Sequence, residues 1–283
     1  MNGLTQALPN DQRSQRNEMS TGEALHEFND AQWKLILEKI TVPAPIGCVA
    51  RPRLDALLEQ SLRSCTSTII TGRAGAGKTT LALQFAEKSA RAVAWYKVDA
   101  PESKLPIFFQ YLISSIAAHR PGFGDYALLS LVREHPDSNQ VPLLAELFVF
   151  ELERRSGSSL LIVIEDLHLV FDADWVVTFL RRLLPLLPSD VHMLITSRTT
   201  PPAPLWRMRS KQTLSVIDEE TLSFTEDEAI TLFQRYGLTP EQATIALDHS
   251  HGRAAALSSL AATLHFAETT VRDSESSMSL KVG

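Results

Sequence analysis

The chain has 283 residues, 44% of them hydrophobic, with 27 Lys and Arg against 33 Asp and Glu and a formal net charge of −6. This length carries one large domain, or one large and one small, and the apolar content supports a sizeable core, which excludes global disorder. The acidic balance, with no Lys/Arg run, argues against a nucleic-acid binder, and no apolar run reaches the length of a membrane span.

Residues 1–38 are mostly polar and are expected to form a disordered leader. Within it, Leu25, Phe28, Trp33, Leu35, Ile36 and Ile40 are spaced loosely enough to form a helix over 23–40, which Pro43 and Pro45 would break. The leader lacks the basic, then apolar, then small-residue order of a signal peptide, so a cytoplasmic location is expected. Cys48 and Cys65 have no metal-ligand spacing and read as two separate thiols.

Leu54, Leu57, Leu58 and Leu62 predict a short helix over 53–62, followed by a buried strand over 67–71 and a helix over 79–90. A strand over 92–98 ends at Asp99, and Leu105, Phe108, Phe109, Leu112 and Ile116 mark a helix over 104–119. A looser connection with some helical character fills 121–140, and a helix covers 142–155. The unbroken apolar run over 160–164 predicts a strand buried on both faces of a parallel sheet. A helix over 175–187, a strand over 191–196 and a short strand over 214–217 follow. Strands alternating with helices predict an α/β, doubly wound parallel-sheet domain over 39–222. Beyond it, Thr225 and Glu228 form a capping box that opens a helix to Tyr236. Further helices over 240–249 and 253–265 complete a small helical subdomain, 223–266, and the Ser-rich tail 267–283 is expected to be disordered.

Between the first strand and its helix lies Gly72-Arg73-Ala74-Gly75-Ala76-Gly77-Lys78-Thr79, which satisfies every fixed position of a phosphate-binding P-loop. The glycines let the loop curl until its N–H groups and the helix N-terminus face one phosphate chain. Gly72, Ala74, Gly75, Ala76, Gly77, Lys78, Thr79 and Thr80 are therefore candidate nucleotide-binding residues. Lys78 would reach the β- and γ-phosphates, and the Thr79 hydroxyl would bind Mg²⁺. At the carboxyl end of 160–164 stand Glu165 and Asp166, where an α/β sheet places its ligand. One acid would hold the metal and the other orient water. Arg198, just past the strand 191–196, offers a cation to the terminal phosphate, whereas His168 reads as a loop histidine without a catalytic part.

Several segments, taken in order, resemble the MalT-like, LuxR-type large transcriptional regulators. They are 39–45 with Arg51 to Leu54, Trp95-Tyr96-Lys97-Val98-Asp99, Ile164-Glu165-Asp166-Leu167-His168-Leu169, Thr196-Ser197-Arg198, and Leu222-Ser223-Phe224-Thr225. His251-Gly252-Arg253-Ala254 sits where that family carries a Gly-Trp-Pro-like nucleotide-sensing turn. The family belongs to the STAND class of P-loop ATPases, signalling switches related to NB-ARC domains. The resemblance implies slow ATP hydrolysis, an ADP-bound resting form and an ATP form that self-associates or meets a protein partner. It also implies that Arg51 lines the adenine side. Glu165 stands where the family has Asp, so Asp166 is expected to be the acid more sensitive for metal-dependent turnover. The family's sensor repeats and helix-turn-helix are not found in these residues, so no direct DNA binding is expected of this chain. Two alternatives stay open: an AAA+-type motor ATPase, and a hydrolysis-poor nucleotide scaffold that contacts a partner protein.

Overall fold

Five short runs rich in apolar and β-branched residues form one parallel sheet in the computed structural model, which describes residues 35–44, 48–124, 127–134, 136–137, 139–155 and 157–279. The strands are β1 (Ser67–Thr71), β2 (Ala92–Lys97), β3 (Leu160–Glu165), β4 (Val191–Ser197) and β5 (Leu214–Ile217). Their order is β2-β3-β4-β1-β5, with every neighbouring pair parallel. β3 and β4 are buried at every position, which is why β3 reads as an unbroken apolar run rather than an alternating one.

Helices cover both faces. α1 (Pro52–Ser64) and α2 (Lys78–Lys88) pack Leu54, Leu58, Leu81 and Phe85 against Ile70, Trp95, Leu161 and Val163. On the other face lie α3 (Leu105–Ala117), α4 (Ala127–Arg133), α5 (Val141–Arg154) and α6 (Val176–Leu183). There Tyr96 stacks on Tyr111 and meets Phe108 edge-on, while Phe109, Phe148, Trp175 and Phe179 form a further aromatic cluster. Trp95 and Tyr96 are sequence neighbours serving opposite layers, as the period of two in a strand requires.

After β4 come a four-residue helix α7 (Ala203–Trp206), then β5, then a second four-residue helix α8 (Glu219–Leu222). Neither short helix has enough residues to show a periodicity in sequence. Three lid helices follow: α9 (Glu226–Gln234), α10 (Pro240–Ser250) and α11 (Ala254–Ser279). The capping box of Thr225 and Glu228 is present, and Thr239 with Gln242 forms a second one. Val49 joins Leu232, Phe233, Leu238, Ala246 and Leu257 in the lid core, so the segment ahead of α1 is bound into the lid.

The tail departs from expectation. α11 continues to Ser279, past the predicted end at His265, because no Gly or Pro interrupts it. Of the predicted 23–40 helix, the described residues 35–40 hold a single 3₁₀ turn, Leu37–Ile40. The remainder of the leader and residues 280–283 lie outside the described residues.

Candidate functional site

The carboxyl ends of β1, β3 and β4 lie side by side, with β4 between the strand that feeds the P-loop and the strand that carries the acids. The Gly72 N–H donates to the Ser197 carbonyl at 3.1 Å, which pins the start of the loop to β4. Gly75 and Gly77 take φ +78° and +95°, in the left-handed region where a side chain is strained. At Gly75 a Cβ would also stand 2.8 Å from the Ala255 Cβ of the lid.

Lys78 opens α2 and folds back across the loop. Its Nζ donates to the carbonyls of Gly72 (2.7 Å) and Arg73 (3.0 Å). Burial lowers the pKa of this ammonium, while nearby Asp166 acts in the opposite direction. The Thr79 hydroxyl donates to Glu165 Oε1 at 2.5 Å, across the width of β4. The acid that meets the P-loop hydroxyl is Glu165: as the last strand residue it points to the P-loop side.

Asp166 leaves the strand with φ +58°. That turn brings it back toward β4, where its N–H donates to Thr196 Oγ1 at 3.0 Å and its carboxylate lies 3.6 Å from Arg198 Nε. His168 Nδ1 is 3.7 Å from the same carboxylate, and burial lowers the imidazole pKa, so the ring is neutral near pH 7. The structure thus brings together Lys78, Thr79, Glu165, Asp166 and Arg198, all named from sequence.

Arg51 is held by the residues that lead into the lid. Its side chain is 6% exposed and points into the lid, where it pairs with Glu228 at 2.8 Å and lies 4.2 Å from the Phe224 ring centroid. It also donates to the carbonyls of Leu222 (2.7 Å) and Ser223 (3.0 Å). The reason is Glu228: a carboxylate one turn into α9 needs a buried counter-charge, and Arg51 provides it. A cavity of about 450 Å³ lies beside the loop, lined by Arg73, Ala76, Glu219, His251 and Arg253 among others, and Arg51 does not reach it.

Among the described residues no three His, Cys, Asp or Glu side chains converge as a closed metal cage. The donors at the P-loop are oxygens alone: the Thr79 hydroxyl and the carboxylates of Glu165 and Asp166. Such a set fits a hard divalent cation that takes its remaining ligands from phosphate and water. No helix among the described residues is long and apolar enough to cross a membrane.

The AAA ATPase domain family matches residues 51–196, slightly more than half of the chain. The transcriptional regulator MalT of Yersinia pestis (strain Pestoides F) is 30% identical over 201 residues, covering 71% of this chain and 22% of MalT. MalT of Serratia proteamaculans is 29% identical over 246 residues, covering 85% of this chain and 26% of MalT. The chain thus spans about a quarter of the length of these relatives. Among solved structures, a STAND protein with a tetratricopeptide repeat sensor from Pyrococcus horikoshii superposes with a TM-score of 0.52 at 22% identity, over 77% of this chain and 30% of that one. The chain belongs to the AAA ATPase domain family.

Proposed function

We propose that this ATP-binding module is a nucleotide-operated switch. It takes ATP or ADP with Mg²⁺, hydrolyses ATP slowly in the cytoplasm, and in its ATP form self-associates or engages a protein partner. It serves transcriptional regulation without contacting DNA itself. The observation that carries this reading is the seat of the lid on the phosphate loop. The Ala255 N–H, at the start of α11, donates to the Gly75 carbonyl at 2.9 Å. A ligand that reshapes the loop therefore acts on one of the lid's own attachments, and two lid positions with different ligand affinity constitute a switch.

In this reading Lys78 leaves the Gly72 and Arg73 carbonyls for the phosphates. Thr79 and Glu165 would hold the divalent cation, which would supply charge to offset the β- and γ-phosphates. Asp166 accepts a hydrogen bond from the attacking water, and Arg198 places a cation beside the terminal phosphate.

Lys78→Ala removes a charge-assisted contact of about 1.5–3 kcal/mol, so ATP affinity by calorimetry falls roughly tenfold or more. Unchanged affinity would remove the proposal. Slow, Mg²⁺-dependent phosphate release separates the switch from the scaffold, for which no turnover is expected.

A further inference from the structure

Glu219, the first residue of α8, grips the phosphate loop. Its Oε2 accepts from the Arg73 backbone N–H at 2.8 Å and its Oε1 from Arg73 Nε at 2.7 Å. The approach is close: a Cβ on Gly72 would lie 3.3 Å from the Glu219 Cβ. Lys78 holds the adjoining carbonyls of Gly72 and Arg73, so the second residue of the loop is fastened on both sides.

The other end of α8 is fastened to the lid. Arg53 donates to the Thr221 carbonyl at 2.7 Å, Arg51 to the Leu222 carbonyl at 2.7 Å, and both to the Ser223 carbonyl at 3.0 Å. The same two arginines share the Glu228 carboxylate of α9. Asp218 caps α8 by accepting from the Thr221 N–H at 2.9 Å. α8 is thus a short strut with one end on the phosphate loop and the other on the residues that hold the lid.

Charge makes the pairing specific. The Arg73 backbone N–H and guanidinium hold Glu219 below the usual carboxylate range, so it is anionic at neutral pH. A bare carboxylate beside this loop would repel a polyphosphate, and the Arg73 guanidinium offsets it.

We infer that Glu219 is a positioning residue of the nucleotide site: through Arg73 it fixes the entrance of the phosphate loop and ties that entrance to the lid. The inference rests on nucleotide binding at the P-loop. Two measurements on the full chain test it. In calorimetry, Arg73→Ala and Glu219→Gln each weaken ATP binding roughly fivefold, and the double variant is no weaker than either alone, because all three break the same contact. In limited trypsin digestion, saturating ATP or ADP changes the cleavage rate at the lid residues Arg235 and Arg253 in wild type, and Glu219→Ala abolishes that response although it still binds nucleotide. Should Glu219→Ala not fold, Glu219→Gln reads the same response.

A double variant whose two losses add, a wild-type lid that does not respond to bound nucleotide, or a full response in the Glu219 variants would each overturn the inference while leaving nucleotide binding intact. A wild-type chain that binds neither ATP nor ADP would overturn the nucleotide reading itself, and this inference with it.

Discussion

Two consecutive acids at the end of a strand point to opposite faces, so they serve one site only if the backbone turns between them. Asp166 makes that turn with φ +58°, a conformation that a short polar side chain tolerates better than most. The result is a division by direction: Glu165 faces the Thr79 hydroxyl, and Asp166 faces Arg198. Glu165→Gln is therefore expected to lose the metal-dependent part of ATP affinity, measured by calorimetry with Mg²⁺ and with chelator. Asp166→Asn is expected to keep that affinity and lose turnover by roughly a hundredfold or more, measured as phosphate release. If Asp166→Asn abolishes the metal dependence while Glu165→Gln preserves it, the two roles are exchanged.

At the scale of elements, α1, β1 and β4 are joined by a polar chain inside the sheet. Ser61 Oγ lies 2.6 Å from Thr68 Oγ1, which lies 2.9 Å from His192 Nε2. Burial, helped by the Arg91 charge, pushes the His192 imidazole down to about 4. The folded state keeps the ring neutral at pH values where an unfolded histidine, with a pKa of about 6.5, already takes a proton. This contribution to stability is complete above about pH 6.5 and is lost as pH falls toward 4, by at most about 3 kcal/mol. Urea denaturation at several pH values between 7.5 and 4.5 should show that decline, and His192→Gln should flatten it. An equal slope in the variant would assign the decline to other groups.

At the scale of the whole described molecule, the Arg51–Glu228 pair joins the segment ahead of the sheet to the lid. The pair is buried, with side chains 6% and 10% exposed, whereas Arg53 on the same carboxylate is 37% exposed. Removing a buried partner strands a charge, so Arg51→Ala is expected to cost about 2–4 kcal/mol, and Arg53→Ala about 1 kcal/mol or less. Chemical denaturation ranks the two, and equal costs would show that burial is not what makes the clamp strong. The same lid bears Glu226, Asp227 and Glu228 in the first turn of α9, where a groove-reading helix would approach phosphates. Mobility-shift assays should accordingly show no sequence-specific complex at physiological salt in the presence of competitor DNA. A specific shift under those conditions would refute the expectation.

Sequence alone determined the parts of this protein whose signals are local. The P-loop needs its glycines, Lys78 and Thr79 at fixed spacing between a strand and a helix, and a strand buried on both faces must be apolar throughout. The capping box at Thr225 likewise lies within four residues. Short elements such as α8 leave no periodic trace, and α11 runs on to Ser279 because a polar composition does not by itself stop a helix. Tertiary structure decided everything that depends on direction or on partners distant in sequence. Which acid meets Thr79 follows from strand register and one left-handed residue. Arg51 turns to Glu228, 177 residues away, because a buried carboxylate must be paired. Glu219 reaches Arg73 only because β1 and β5 are neighbours in the sheet. No spacing within the chain encodes that adjacency, since it arises when the sheet buries its strands in the order β2-β3-β4-β1-β5.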